Sequence, residues 1–152
     1  MAEKPAFIGT PKSTSWTLVL STQTSARYST PPSNSIAVRA GAQGSFLESI
    51  IAYPLGSNVS TVLLMFCQKG VAGYYYMGSA QLDATTGPGV GDNTGMEGVN
   101  LSDKLLPICL FPASNTTTPN RGLRIAAGDA VYLALDRAVA SGWSIVLNGG
   151  DL

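Results

Sequence analysis

Few residues of this chain could carry acid–base or metal chemistry. The chain contains no histidine and only two cysteines, Cys67 and Cys109. Histidine is the usual general base and a common metal ligand near neutral pH, so its absence excludes triad hydrolases and histidine-ligated metal sites. Neither cysteine has a second cysteine nearby in the sequence, as a metal knuckle would require, which favours two buried, reduced thiols.

Three further polar patterns lack the spacing of a catalytic or ligand site. The segment Gly87–Gly91 is as rich in glycine as a phosphate-binding loop, but the lysine and hydroxyl residue of a P-loop do not follow it. The oxygen-bearing side chains of Asp92, Asn93 and Glu97 are not spaced at alternate positions as in a calcium loop. A glycosidase needs two facing carboxylates, and nothing in the sequence brings Glu48 together with Glu97 or Asp83. We therefore predict a protein that is not an enzyme and that uses no cofactor or metal.

Composition and charge indicate one compact domain that binds neither nucleic acid nor a membrane. The 152 residues include nine basic and nine acidic side chains, giving a net charge of zero, and 45% are hydrophobic. Binding to nucleic acid or to an anionic membrane relies on clustered positive charge, which is absent. The longest strongly apolar run, Val62–Cys67, is far shorter than the roughly 20 residues of a membrane-spanning helix. Met1–Pro5 lacks the apolar core of a secretory signal, so we expect synthesis in the cytoplasm.

Short segments of alternating apolar and polar residues, separated by Gly, Pro, Asn and Ser, indicate an all-β fold. The predicted strands are Trp16–Ser21, Ser35–Ala40, Phe46–Tyr53, Val59–Gln68, Tyr74–Leu82, Leu105–Phe111, Leu123–Ile125, Val131–Leu135 and Trp143–Leu147. Pro54–Asn58 is expected to close a hairpin, and Ser102–Leu106 to form one helical turn. No blade-length repeat is visible, which favours a two-sheet, jelly-roll-like sandwich over a propeller. We assign residues 1–15 to an extended N-terminal arm and 16–152 to the sandwich domain.

The fourth predicted strand is apolar on both faces. Its alternating sets are Val62, Leu64 and Phe66 on one face, and Leu63, Met65 and Cys67 on the other. A sandwich strand buries one face, so the other must be covered by the arm, by a loop or by another subunit. We favour another subunit and assign Leu63 and Met65 to the interface. Tyr75 joins them, because at least one side chain of three consecutive tyrosines in a strand faces outward.

Five segments together resemble a known class of protein. They are Ala40–Ile50, Ser60–Phe66, Ile125–Asp129, Gly142-Trp143 and Gly149–Asp151. In these segments, which lie within residues 39–76 and 124–152, the sequence resembles the small jelly-roll proteins that decorate, or cement, the capsids of tailed bacteriophages. The motifs are turn-and-strand patterns and do not include a catalytic signature.

The resemblance implies a homotrimer on the outer surface of the virion, bound to the major capsid protein. Extended termini that strap neighbouring capsomers would make Phe7, Ile8 and Trp16 apolar contacts with the shell. Lys4 and Lys12 would contact acidic residues of the shell.

The sequence departs from the family at two places. Similar proteins often end in an aromatic residue after Gly-Gly-Asp, whereas this chain ends in Leu152. The glycine-rich stretch Thr85–Gly98 has no counterpart in them. The first difference implies that the C-terminal contact of the family is altered here, and no role is carried over to the glycine-rich stretch.

A receptor- or carbohydrate-binding module of a phage head fibre or tail is the alternative hypothesis. In that protein Tyr75 and Trp143 would be the platforms on which sugar rings stack. Trp143 alternates with Ile145 and Leu147 on one apolar face, however, and this pattern favours burial of the indole.

Overall fold

The alternating segments form β-strands in a computed structural model, which describes residues 14–20, 36–70, 72–88, 98–107 and 121–152. The elements are β1 (Thr14–Leu20), β2 (Ile36–Arg39), β3 (Ser45–Asn58), β4 (Thr61–Lys69), β5 (Ala72–Leu82), β6 (Thr85–Pro88), β7 (Val99–Asn100), α1 (Ser102–Leu105), β8 (Leu123–Ile125), β9 (Ala130–Leu135) and β10 (Trp143–Asp151). The single helical turn lies where the sequence predicts it. No helix in the described ranges is long and apolar enough to cross a membrane.

The strands form two antiparallel sheets that face each other. One sheet has the order β1-β10-β3, and β8, β7 and β6 follow one another along the far side of β3; the other has the order β2-β9-β4-β5. The pairs β1·β10, β2·β9, β3·β8 and β4·β5 are nested, so early strands pair with late ones as in a hairpin folded over on itself. This nesting is the jelly-roll arrangement, and the predicted all-β sandwich is confirmed.

The core lies between the two sheets. It buries inward-facing side chains of both sheets, and Leu101, Leu105 and Leu106 around α1 close it on one side. Trp143, Ile145 and Leu147 are buried at alternate positions of β10, as their spacing predicts. Burial at alternate positions leaves the other face of β10 toward the outside of the sandwich.

The predicted hairpin at Pro54–Asn58 is wrong. The strand β3 continues through Pro54 to Asn58, and β3 and β4 belong to different sheets. Side chains support the extension: the backbone N–H of Asn58 donates to Thr85 Oγ1 at 3.0 Å, and that hydroxyl donates to the carbonyl oxygen of Gly56 at 2.7 Å. These bonds keep residues of turn-like composition in a ladder with β6.

Part of the predicted domain organisation lies outside the described residues. Residues 1–13 of the arm are in this group, whereas Thr14 and Ser15, assigned to the arm, begin β1. Residues 108–111 of the predicted strand Leu105–Phe111 are also outside, and Leu105 itself belongs to α1.

Candidate interaction surface

The chain enters the sandwich beside its own C-terminal strand. Thr14 pairs with Gly149, and Gly149 also pairs with Leu47 at the start of β3. We call this end of the sandwich, where residues 40–44, 69–70, 72, 126–129 and 151–152 also lie, the Thr14 end. Of the predicted shell contacts, Lys4, Phe7, Ile8 and Lys12 lie outside the described residues. The backbone of Trp16 pairs with Leu147 in β1·β10.

Asp129 joins three turns at the Thr14 end. Lys69 Nζ lies 2.9 Å from one carboxylate oxygen, and the N–H of Gly70 donates to the other at 3.0 Å. The backbone N–H of Ala40 donates to the Asp129 carbonyl at 3.1 Å. The hydrogen bond from Lys69 lowers the pKa of Asp129 the most, and the bond from the Gly70 N–H lowers it further. The hydrogen bond between Lys69 and Asp129 also raises the pKa of Lys69. The turns β2–β3, β4–β5 and β8–β9 are thus held together by one aspartate.

The C-terminus is fastened to the same end. Ser45 Oγ donates to Asp151 Oδ1 at 2.6 Å and accepts from the N–H of Gly41 at 2.9 Å. The N–H of Leu152 donates to the carbonyl of Gly44, whose φ of 97° is a conformation that favours glycine. A Cβ at Gly41 would lie only 2.8 Å from Asp151 Cγ, so the close approach of turn and tail also requires glycine.

Leu63 and Met65 are not at a surface, so their assignment to a subunit interface is wrong. Both are 0% exposed and belong to the core between the sheets. Leu63 pairs with Ala80 and Leu135, which are members of the same core. The alternation along β4 separates its two faces correctly, but both faces are apolar, so their composition does not show which one turns inward.

The other face of β4 belongs to a second apolar cluster on the outside of the sheet. Its buried members are Leu64, Phe66, Ala130, Tyr132 and Ala134, with Val62 and Tyr74 packed against them. These side chains are buried within a single chain, so a second subunit is not needed to cover them. The apolar character of β4 therefore gives no support to self-association.

Aromatic side chains form the rim of this second cluster. The rings of Tyr74 and Tyr132 meet edge to face with centroids 5.2 Å apart, and those of Phe66 and Tyr76 do so at 5.9 Å. The Tyr132 hydroxyl donates to Gln68 Oε1 at 3.0 Å. Burial raises the pKa of Tyr132. Tyr132 is thus a hydrogen-bonded phenol that stays neutral at pH 7.

Tyr75 is the one predicted interface residue that lies on the surface. It is 59% exposed, and Met77 on the same strand is also exposed. Trp143, in contrast, is 1% exposed and lies in the main core, so its predicted role as a sugar platform in the alternative hypothesis is wrong. Of the two residues named as sugar platforms, only Tyr75 is exposed.

Cys67 is a buried thiol in an environment unsuited to nucleophilic chemistry. Burial raises its pKa; Lys69 acts in the opposite direction, and Asp129 adds to the increase. The thiolate is the reactive form of cysteine, so a raised pKa makes the side chain less reactive at neutral pH. Within the described ranges, no three His, Cys, Asp or Glu side chains lie close enough together to hold a metal ion. The absence of catalysis and of a cofactor stays a prediction.

A second anchoring residue, Asp136, lies where β9 ends against the start of β4. Burial by itself would raise its pKa, but hydrogen bonds from the Val62 N–H at 3.0 Å and the Thr61 hydroxyl at 2.7 Å outweigh burial, and the pKa is lowered. Sequence reasoning missed both Asp136 and Asp129. The only local signal was an aspartate next to a turn, which is too common to identify a partner in a distant segment.

At the Thr14 end of the sandwich, Asp129 and the C-terminal residues hydrogen-bond to neighbouring turns. On β5, the side chain of Tyr75 is exposed. Comparisons of the chain with models of protein families, with curated proteins and with solved structures found no match. A functional proposal therefore rests on this geometry and on the residues themselves.

Proposed function

We propose that this chain is a structural virion protein that binds the outer surface of a tailed-phage capsid as an oligomer. It stabilises the shell by bridging neighbouring subunits of the major capsid protein. The observation that carries the proposal is the pairing of Thr14 with Gly149, which attaches residues 1–13 to the Thr14 end of the sandwich. The resemblance implies a trimer and, as a virion protein, synthesis in the host cytoplasm.

In this proposal residues 1–13 act as a strap that binds a neighbouring capsid subunit, and the Thr14 end is the part of the sandwich to which the strap is attached. The first residue of β1 sits beside the fastened C-terminus, and Asp129 holds three turns of the same end together. A strap is effective when the body to which it is attached does not deform as the strap binds. A segment of 13 residues spans at most about 45 Å when fully extended, enough to reach beyond the footprint of one small domain.

The residue types before Thr14 suit contact with a shell surface. Phe7 and Ile8 are apolar anchors, and Lys4 and Lys12 exceed the single acid, Glu3, in that segment. Apolar anchors contribute contact area, whereas surface charges contribute modestly and are screened by salt. Binding to the shell is therefore expected to weaken with added salt without being abolished.

Stabilisation of the shell follows from mass action. A protein that binds the assembled shell and not its broken forms stabilises the assembled state by an amount set by its concentration relative to its Kd. An oligomer with one strap per copy converts later contacts into intramolecular events, so weak single straps add up to tight capture.

Deletion of residues 1–13 tests the proposal, because it leaves β1 complete. The truncated protein is expected to keep its Tm and its oligomeric state but to lose binding to purified shells in a co-sedimentation assay. The double variant Lys4→Gln, Lys12→Gln is the matched control for charge and should retain binding with a smaller salt dependence. Undiminished binding by the truncated protein would contradict the proposal. Quantitative mass spectrometry of virions should also find a copy number comparable with that of the major shell protein.

The exposure of Tyr75 supports one alternative function, a receptor- or carbohydrate-binding module of a head fibre or tail. Binding of a glycan that is lost in Tyr75→Ala, together with only a few copies per virion, would favour this module over the cement role. Because Trp143 is buried, its fluorescence should not respond to a glycan in either case.

A further inference from the structure

Asn148 is the only asparagine of the chain that is followed by glycine. An asparagine side chain deamidates when the backbone nitrogen of the next residue attacks its amide carbon, and asparagine is accordingly one of the thermolabile residues of proteins. Glycine in the next position lacks the side chain that would hinder this attack. The pair Asn148-Gly149 therefore has the residues for spontaneous deamidation, and the fold decides whether the nitrogen reaches the amide.

The fold requires the glycine of this pair. A Cβ at Gly149 would collide with the carbonyl oxygen of Phe46, and because the colliding atom belongs to the backbone, no side-chain movement relieves the contact. The ladder between β10 and β3 is also irregular at the same step: Asn148 pairs with Ser49, whereas Gly149 pairs with Leu47. The architecture thus keeps glycine after Asn148 and interrupts the regular pairing with β3 at the bond where deamidation takes place.

Hydrogen bonds and strand pairing hold the two reacting groups apart in the closed fold. Asn148 and Gly149 are partly exposed, so water reaches them. The side-chain nitrogen Nδ2 of Asn148 donates to Ser49 Oγ at 2.9 Å, which holds the amide beside β3. The pairing of Gly149 with Thr14 and Leu47 holds its backbone between two strands. The attack therefore needs a local opening of this end of β10.

We propose that Asn148 is a site of spontaneous deamidation whose rate is set by the local opening of β10 at the Thr14 end. In the opened state hydroxide takes the proton of the Gly149 N–H, and the nitrogen attacks Cγ of Asn148. The bond from that nitrogen to Cγ forms, the bond from Cγ to Nδ2 breaks, and Nδ2 takes a proton from water and leaves as ammonia. One water molecule then opens the cyclic imide. The product is either an aspartate or an isoaspartate, in which the backbone passes through the former side chain.

The bonds that fasten the C-terminal residues oppose this opening. Asp151, in the same strand as Asn148, accepts from Ser45 Oγ at 2.6 Å, and the N–H of Leu152 donates to the carbonyl oxygen of Gly44. Both bonds hold the end of β10 against the start of β3. Loss of the Ser45 hydroxyl is therefore expected to increase the population of the open state, and with it the rate of deamidation, while the rest of the sandwich stays folded.

The product would alter the attachment of residues 1–13. The strand β10 lies between β1 and β3, with Asn148 opposite Ser15 and Gly149 opposite Thr14. An isoaspartate adds one atom to the backbone at this step, so the residues that follow it no longer match the register of β1. The first pairs of β1 are then lost at the point where residues 1–13 begin. The inference goes beyond the proposed function, because it holds whatever those residues bind.

Incubation of the full chain at pH 8, followed by peptide mass spectrometry that separates aspartate from isoaspartate, tests the proposal. Asn148 is expected to convert in the folded chain, but more slowly than in the chain unfolded by urea. The factor of slowing should equal the factor by which hydrogen exchange of the Gly149 amide is slowed, because one opening permits both reactions. Absence of conversion at Asn148 over the time that this factor predicts would overturn the proposal.

Two variants that each remove one hydroxyl bonded to an aspartate provide the matched comparison. Ser45→Ala removes the bond to Asp151 at the Thr14 end, and Thr61→Ala removes the bond of 2.7 Å to Asp136 at the start of β4, beyond the other end of β3. Ser45→Ala should raise the rate of deamidation several-fold, as expected when a hydrogen bond of the closed state is lost, whereas the rate in Thr61→Ala should equal that of the wild type.

Equal effects of the two variants would mean that Asn148 converts only through global unfolding, and the proposal would be wrong. If Ser45→Ala does not fold, Ser49→Ala replaces it, because it frees Nδ2 of Asn148 and should raise the rate in the same way. The comparison of wild-type deamidation with hydrogen exchange needs no variant.

Discussion

Lys69 and Asp129 form an ion pair between two turns that are far apart in the sequence. Lys69 Nζ lies 2.9 Å from Asp129 Oδ2, while the other carboxylate oxygen accepts a bond from the N–H of the next residue, Gly70. Lys69 is exposed and Asp129 is buried, so only the carboxylate has given up much of its contact with water. The aspartate depends on this contact more than the lysine does.

The carboxylates of Asp129 and Asp136 make the stability of the fold sensitive to acid. The pKa values of Asp129 and Asp136 are both lowered in the folded protein. A lowered pKa contributes stability above the unfolded value of about 3.9, and this contribution is lost as pH falls through the folded pKa. We expect the Tm to be nearly constant from neutral pH to about 5 and to fall below about pH 4.

Asp129→Asn should lower the Tm at pH 7 by several degrees, and the difference from the wild type should shrink below pH 4, where the wild-type carboxylate is protonated as well. Asp83→Asn is the control, because Asp83 is exposed on the loop between β5 and β6. Thermal unfolding followed by circular dichroism at several pH values measures both. A constant difference between Asp129→Asn and the wild type from pH 7 to pH 3 would contradict this explanation.

The inward position of Leu63 predicts a loss of folding stability upon truncation. Leu63→Ala should reduce the free energy of unfolding by about 2–5 kcal/mol, as is typical for a leucine in a packed core. Val59→Ala, in the exposed turn, should change it by no more than about 0.5 kcal/mol. Urea titration measures both. Leu63→Asp should prevent folding altogether, whereas a folded Leu63→Asp protein that only dissociates would restore the interface assignment made from the sequence.

The strands and the fold class were predictable because alternation is a local signal. Trp143, Ile145 and Leu147 recur at every second position, and their burial needs no information from elsewhere in the chain. In β4 the same signal is ambiguous, because Leu63 and Leu64 are equally apolar. The neighbouring strand β9 is buried at every position, so its pattern does not indicate which of the two leucines turns inward either.

The contacts between distant segments were not predictable, because no local pattern in the sequence indicates which distant residue a side chain will meet. Pro54–Asn58 has the composition of a turn, yet it remains in a strand because Asn58 and Thr85 hold the backbone with side-chain bonds. Those partners are separated by two intervening strands, and no periodicity connects them. The same applies to Lys69 and Asp129: one ends a strand and the other follows a turn, and nothing local in either segment indicates that the fold brings them together.

The burial of Cys67 predicts that its thiol reacts slowly with disulfide reagents. In a Cys109→Ser background, Cys67 should react with a disulfide reagent at pH 8 much more slowly than a free thiol, because burial raises its pKa and limits access. Urea that unfolds the chain should restore the ordinary rate. The Cys67→Ser protein reports the rate of Cys109 as the reciprocal control. Rapid labelling of Cys67 in the native protein would show that this end of β4 is open to solvent.

The side chain of Asn58 predicts the most localised loss of stability. Its Oδ1 accepts from the N–H groups of Gly142 at 2.8 Å and Ser141 at 3.1 Å, and its Nδ2 donates to the Gly142 carbonyl at 2.8 Å. The residue is buried, so Asn58→Ala leaves several backbone groups without partners, at about 1–3 kcal/mol for each group that water does not reach. We expect a total loss of about 3 kcal/mol in urea titration.

Two comparisons separate this explanation from a general weakening of the fold. Ser57→Ala, at the exposed neighbouring position, should change the free energy of unfolding by no more than about 0.5 kcal/mol. In Asn58→Ala, hydrogen exchange should accelerate first at Ser141 and Gly142, because those amides lose their acceptor directly. Equal acceleration throughout β10 would mean that Asn58 supports the whole strand and not only the turn that precedes it.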